Sequence, residues 1–205
     1  MKRIVVSQRV DVVENRPEVR DAIDQKLVQF LVEIKFLTYP VPNLLVELQN
    51  GGLLQSWLNE VKPEAVVLSG GNNIGDFTTR DKTEDTLIRY ALKKELPLLG
   101  ICRGMQMIAH YHGTSLVPLT GHVRKRHQLD GEVSWKVNSF HDFAIESCPT
   151  NFKVFATCST DGSVEGIKHD YLPWEGWMWH PEREDNFCEL QLARAERLLM
   201  GETSN

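Results

Sequence analysis

Three apolar runs without polar alternation constrain this chain most: RIVV (3–6), EAVVLSGG (64–71) and LPLLGI (96–101). A strand with one face in water alternates apolar and polar residues, whereas these runs have no wet face. Each is followed by a helical pattern. PEVRDAIDQKLVQFLVEI (17–34) repeats Val19, Ile23, Leu27 and Phe30 at helical spacing, with Pro17 suited to a first turn. FLTYPVP (36–42) reads as a second short strand ended by its prolines, and 53–61 as a helix. TEDTLIRYALKKE (83–95) reads as a helix capped by Thr83, and RGMQMIAHYHG (103–113) as one closed by Gly113. Strands alternating with helices predict an α/β fold with a mostly parallel central sheet covered by helices on both faces.

From about residue 133 the rhythm changes. EVSWKV (132–137), KVFATC (153–158), VEGIKHD (164–170) and EGWMW (175–179) are short strand-like runs, read as a small antiparallel addition or further core strands. A last amphipathic helix is expected over about 188–200, and GETSN (201–205) as a frayed tail. With 205 residues, 41% hydrophobic and 25% charged, the expectation is one domain over residues 1–205. The net charge of −5 argues against nucleic acid as a partner. No apolar stretch approaches the roughly 18 residues of a spanning helix, and the leading apolar run stops at Val6, so neither membrane nor export is expected. The chain reads as cytoplasmic. Cys102, Cys148, Cys158 and Cys188 form no C-x-x-C pair and have no histidine at finger-like spacing. Free thiols, no metal and no cofactor are expected.

Cys102 stands apart from the other three. Gly100-Ile101-Cys102-Arg103-Gly104 is a G-x-C-x-G turn between a buried strand and a helix, the form of a nucleophile elbow. The glycines remove side chains where strand and helix crowd, and the turn is expected to push the thiol into the open. The helix start favours a thiolate, and the Arg103 N–H is placed to face an oxyanion. A thiolate that attacks an amide needs a proton shuttle. Among seven histidines, His180 follows a strand-like run and is followed by Pro181 and Glu182, a carboxylate close enough to orient its ring. The expected set is Cys102, His180 and Glu182.

Taken together, GICRGMQ (100–106), VVLSGG (66–71), VNSFHDFAI (137–145) and MWHPERE (178–184) resemble, in order, the class I glutamine amidotransferases, and within them the γ-glutamyl hydrolase branch. The resemblance covers nearly the whole chain. It implies a flavodoxin-like parallel sheet and attack of the cysteine on the γ-carbonyl of a glutamyl amide. A γ-glutamyl thioester then forms and water releases glutamate. It implies Cys102 as nucleophile, His180 as acid and base, Glu182 as orienter, and the N–H groups of Gly71 and Arg103 as oxyanion hole. Gln106 and Ser139, Phe140 and His141 would hold the glutamyl amino and carboxylate groups. Asn72 and Asn73, read as substrate-binding, stand where the aminobutyrate hydrolases often carry an acidic residue, a departure that argues against a pocket for a cationic or aminobutyrate-type leaving group.

Within GHVRKRHQ (121–128), Arg124, Lys125 and Arg126 form a local excess of positive charge in an acidic chain. As a rim loop this segment suits a phosphate. A small subgroup of the γ-glutamyl hydrolases resembles the chain in its brevity and basic rim. That subgroup hydrolyses γ-glutamyl-CDP-amidate to glutamate and CDP-amidate in capsular polysaccharide biosynthesis. Other readings stay open. One is a glutaminase subunit supplying ammonia to a separate synthase. Another is a γ-glutamyl-γ-aminobutyrate or γ-glutamyl-polyamine hydrolase, and a third is a redox-sensing or binding protein. The expected partner is a small γ-glutamyl substrate, with a homodimer allowed and no synthase required for a stand-alone hydrolase.

Overall fold

In the computed structural model, which describes residues 1–201, one nine-stranded sheet organises the chain. Its parallel half contains β1 (Lys2–Val6), β4 (Phe36–Pro40), β5 (Ala65–Leu68), β6 (Leu98–Ile101) and β13 (Trp174–Trp177), in the order β4-β1-β5-β6-β13. The runs without alternation are the central strands, and β5, β6 and β13 are buried at every position. The antiparallel half continues the same sheet through β12 (Val164–His169), β11 (Phe152–Cys158), β8 (Val123–Gly131) and β9 (Lys136–Phe140). EGWMW therefore supplies a core parallel strand, while KVFATC and VEGIKHD supply antiparallel ones. A short pair, β7 (Leu116–Pro118) and β10 (Phe143–Ile145), stands apart.

Helices α1 (Gln25–Glu33) and α5 (Glu189–Leu199) cover one face through Leu27, Phe30, Leu31, Ala195 and Leu199. Helices α2 (Gly52–Val61), α3 (Thr78–Lys94) and α4 (Arg103–Tyr111) cover the other through Leu54, Leu58, Leu87, Ile88 and Ile108. The two apolar layers flank the sheet as the unalternated strands require.

Two boundaries differ from the sequence reading. The helix expected from Pro17 begins only at Gln25, where the Asp24 carboxylate accepts from the Lys26 N–H at 2.9 Å. Residues before it form a hairpin of β2 (Arg9–Val12) and β3 (Val19–Ala22). Val19 fits the helical period by spacing alone and is exposed. Thr83 is not a cap: α3 starts five residues earlier, and the Thr83 hydroxyl donates to the Thr79 carbonyl at 2.8 Å. Beyond Gly201 the tail expected over 201–205 lies outside the described residues. Among the described residues no helix is long and apolar enough to cross a membrane.

Candidate active site

Cys102 sits between β6 and α4 with φ 51° and ψ −106°. A non-glycine residue in that region costs on the order of 1–3 kcal/mol and persists only where its surroundings fix it. Here its N–H donates to the Trp177 carbonyl at 2.7 Å, and its carbonyl accepts from the Gln106 N–H at 3.1 Å. The two glycines of the turn meet the expected crowding. A Cβ on Gly100 would lie 2.6 Å from the Gly104 backbone, and one on Gly104 would lie 2.1 Å from the Leu68 carbonyl oxygen. The thiol itself is not in the open. Cys102 is 7% exposed, because the sharp turn aims it into the sheet's carboxyl edge, where His180 lies against it.

His180 follows β13 and is buried. Its Nδ1 lies 2.6 Å from a Glu182 carboxylate oxygen. Burial alone pushes the imidazole toward neutrality. The negative charges of Glu182 and Cys102, with the Glu182 hydrogen bond, outweigh it and raise the ring to about 9. At neutral pH His180 is thus an imidazolium, with a proton to give to a leaving nitrogen.

Two supporting residues escaped the sequence reading. Asn138 on β9 clasps the His180 backbone from both sides, donating to its carbonyl at 2.7 Å and accepting from its N–H at 3.0 Å. Gly70 leaves room for the ring, since a Cβ there would lie 2.6 Å from His180 Cε1. Asn138 stands inside the quoted motif VNSFHDFAI, yet nothing local marks a residue that acts across 42 positions.

The turn after β5 is held from behind. Buried Arg80 donates to the carbonyls of Ser69, Gly70 and Gly71, and its Nε meets Glu84 at 3.1 Å. Gly71 has φ +86°, and neither its N–H nor that of Arg103 meets a protein acceptor among the described residues. The Arg103 side chain turns inward, onto Glu84 and Asp81. Burial lowers the ordinary value of both arginines, with repulsion from Arg9 adding for Arg80 and from Arg80 adding for Arg103. Arg103 and Arg80 are therefore braces.

The expected substrate residues separate. Buried Gln106 donates to the Phe143 carbonyl at 3.0 Å and lines a cavity of about 370 Å³ with Asn73, Ile74, His110, Ser115, Leu116 and Phe143. Phe140 meets the His180 ring edge-on at 5.8 Å between centroids, and the Arg183 guanidinium lies over the Phe140 ring, 4.9 Å from its centroid. Ser139 and His141 do not join them. Their side chains pack near His122 and Glu165 on the far side of the strand, because neighbouring strand residues alternate faces. Asn72 is not in a pocket either; its amide exchanges hydrogen bonds with the Val10 backbone at 2.8 and 3.0 Å, tying the β2–β3 hairpin down.

The basic segment is a strand rather than a loop. Arg124, Lys125 and Arg126 belong to β8, and none lines the cavities beside His180 and Gln106. Arg126 is committed to Glu184 at 2.9 and 3.0 Å. The hairpin that the sequence reading missed brings other cations closer. Arg9 packs against Gly71, and Arg9 and Arg183 line a cavity of about 220 Å³ with Asp24, Ser69, Gly70, His180 and Glu182.

The glutamine amidotransferase class-I family matches residues 11–187. The γ-glutamyl-CDP-amidate hydrolase of Campylobacter jejuni is 37% identical over 137 residues, 64% of this chain and 68% of that protein. The carbamoyl phosphate synthase small chain of Pyrococcus furiosus is 37% identical over 100 residues, 46% of this chain and 27% of its own length. Among solved structures, a glutamine amidotransferase from Thermotoga maritima has a TM-score of 0.63 at 21% identity, over 88% of this chain and 76% of its own. That likeness carries the fold alone. The chain belongs to the class-I glutamine amidotransferase family.

Proposed function

We propose that the chain hydrolyses a γ-glutamyl amide through Cys102, and that the nitrogen it releases carries a phosphate, as in γ-glutamyl-CDP-amidate. The observation that carries the chemistry is a strained elbow cysteine beside an imidazole that a carboxylate 2.6 Å away holds protonated. Cys102 Sγ forms a bond to the γ-carbonyl carbon, and the oxygen charge falls to the N–H groups of Gly71 and Arg103. The C–N bond breaks as His180 gives its proton to the departing nitrogen. His180, now neutral, takes a proton from water, whose oxygen bonds to the thioester carbon. The sulfur leaves as thiolate, glutamate is free, and the imidazolium is restored. Gln106 and Asn73, on the cavity beside the elbow, hold the glutamyl end. Free thiols fit a cytosolic setting.

The phosphate reading draws on the Campylobacter jejuni hydrolase and on Arg9 and Arg183 beside His180. Guanidinium groups suit phosphate oxygens. The reading needs no synthase partner. The test is glutamate release by the purified chain from γ-glutamyl-CDP-amidate, glutamine and a γ-glutamyl alkylamine. The phosphoramidate is expected to give the highest kcat/KM. Equal turnover of glutamine, rising only when a synthase is added, would assign the chain to ammonia supply instead.

A further inference from the structure

Behind the strand that faces His180, four residues far apart in sequence converge. His141 Nε2 lies 3.2 Å from Glu165 Oε1, His122 Nδ1 lies 3.5 Å from the same oxygen, and His127 Nε2 lies 3.3 Å from Glu165 Oε2. His122, His141 and Glu165 are buried, with Glu165 wholly so, and the three side chains offer ligand atoms within 4.8 Å of one another. These contacts are close but misdirected. His127 Nε2, His141 Nε2 and Glu165 Oε2 make no hydrogen bond, although buried polar groups almost always do.

We propose that His122, His141 and Glu165, with His127 at the fourth position, hold a zinc ion that locks the antiparallel half of the sheet onto the core. Ligand atoms about 2.0–2.1 Å from a tetrahedral metal stand about 3.3 Å apart, and the three histidine nitrogens stand 3.2–3.5 Å from a Glu165 oxygen. The partners behind the ligands fit as well. His141 Nδ1 lies 3.0 Å from the Phe143 carbonyl, which fixes its proton there and leaves Nε2 free to bind. His122 Nε2 lies 2.8 Å from an Asp161 oxygen, giving the carboxylate–histidine–metal arrangement.

The backbone explains how His122 and His127 come to face one point. An odd separation of five residues on a regular strand would place them on opposite faces. A bulge between Val123 and Lys125, with Arg124 at φ 55°, adds the residue that restores parity. The enclosed set has no wet position, so the ion is structural rather than hydrolytic. It stands beside the active site without entering it: the Glu165 carbonyl accepts from the Met178 N–H at 2.8 Å, two residues before His180. Linear spacing does not reveal it, which is why the sequence pointed to no metal.

The test is metal content of the full chain in a Cys102→Ala background, which removes the catalytic thiol as a competing ligand. After loading with zinc and dialysis, close to one equivalent is expected to remain, and zinc is expected to raise Tm. Cobalt in its place should give the intense visible bands of a tetrahedral site. A sulfur-to-cobalt charge-transfer band would move the fourth position from His127 to nearby Cys158 and overturn that part of the assignment. Glu165→Gln and His141→Ala should lose the metal. Asp161→Ala, which leaves every ligand in place, should weaken binding by about tenfold or more. Failure of the folded chain to retain zinc, or retention by Glu165→Gln equal to the parent, overturns the proposal.

Discussion

The Cys102–His180–Glu182 arrangement assigns different losses to its three members. Cys102→Ala should keep the fold and lose orders of magnitude in glutamate release, since only a sulfur is removed. His180→Asn should cost far more than Glu182→Gln, because the ring moves protons in both half-reactions while the carboxylate orients it. Steady-state kinetics on the three variants check this, and a larger loss at Glu182 would reverse the roles. The pH dependence has a definite sign. His180 is raised from 6.5 to about 9 in the fold, so its contribution to stability is complete below about 6.5 and is lost as pH rises through about 9. The acylation rate should fall over the same alkaline range as the imidazolium proton is lost. Removing the Cys102 charge takes away one cause of the shift, so the His180 imidazole of Cys102→Ala should titrate lower, as NMR would read directly. These residues were legible in the sequence because each is flagged by its immediate neighbours, Gly100 and Gly104 for the thiol and Pro181-Glu182 for the ring. Asn138 and Gly70 were not, because their roles are set by a partner at His180.

Among the elements, the elbow and its clasp are the places where small changes travel. Gly104→Ala would push a methyl into the Leu68 carbonyl at the point where α4 crosses β5, and overpacking of this kind costs about 1–3 kcal/mol. Asn138→Ala would leave the buried His180 N–H without a partner and its carbonyl with the Arg183 N–H alone, costing about 1–3 kcal/mol and lowering kcat by loosening the ring. Urea titration alongside kinetics separates the two: Gly104→Ala should shift stability most, and Asn138→Ala should shift both. The parallel strands were readable because burial on both faces leaves a continuous apolar run. The β2–β3 hairpin was not. Val19 and Ile23 continue the four- and three-residue spacing of Leu27 and Phe30, and nothing local announces that the chain is paired with Arg9–Val12 instead. That omission hid Arg9, which packs against Gly71. The basic run was seen but misplaced, because composition reports charge and not whether a segment is loop or strand.

At the scale of the whole molecule, one cavity is lined by Gln106 and another by Arg9, Arg183 and His180 together with Asp11, Asp24 and Glu182. Arg9→Ala with Arg183→Ala should raise KM for a phosphoramidate substrate and leave kcat nearly unchanged, with little effect on a γ-glutamyl alkylamine. The difference should shrink with salt, since exposed charges are screened within roughly 8 Å at physiological ionic strength. Equal losses on charged and neutral leaving groups would remove Arg9 and Arg183 from phosphate recognition. All of these readings depend on one covalent intermediate. The most direct measurement is mass spectrometry of the chain acid-quenched during turnover of a γ-glutamyl amide, followed by peptide mapping. One γ-glutamyl group is expected on the peptide that contains Cys102, released by hydroxylamine and absent from Cys102→Ala. A γ-glutamyl group on any other residue, or turnover that persists in Cys102→Ala, would contradict catalysis through the elbow thiol.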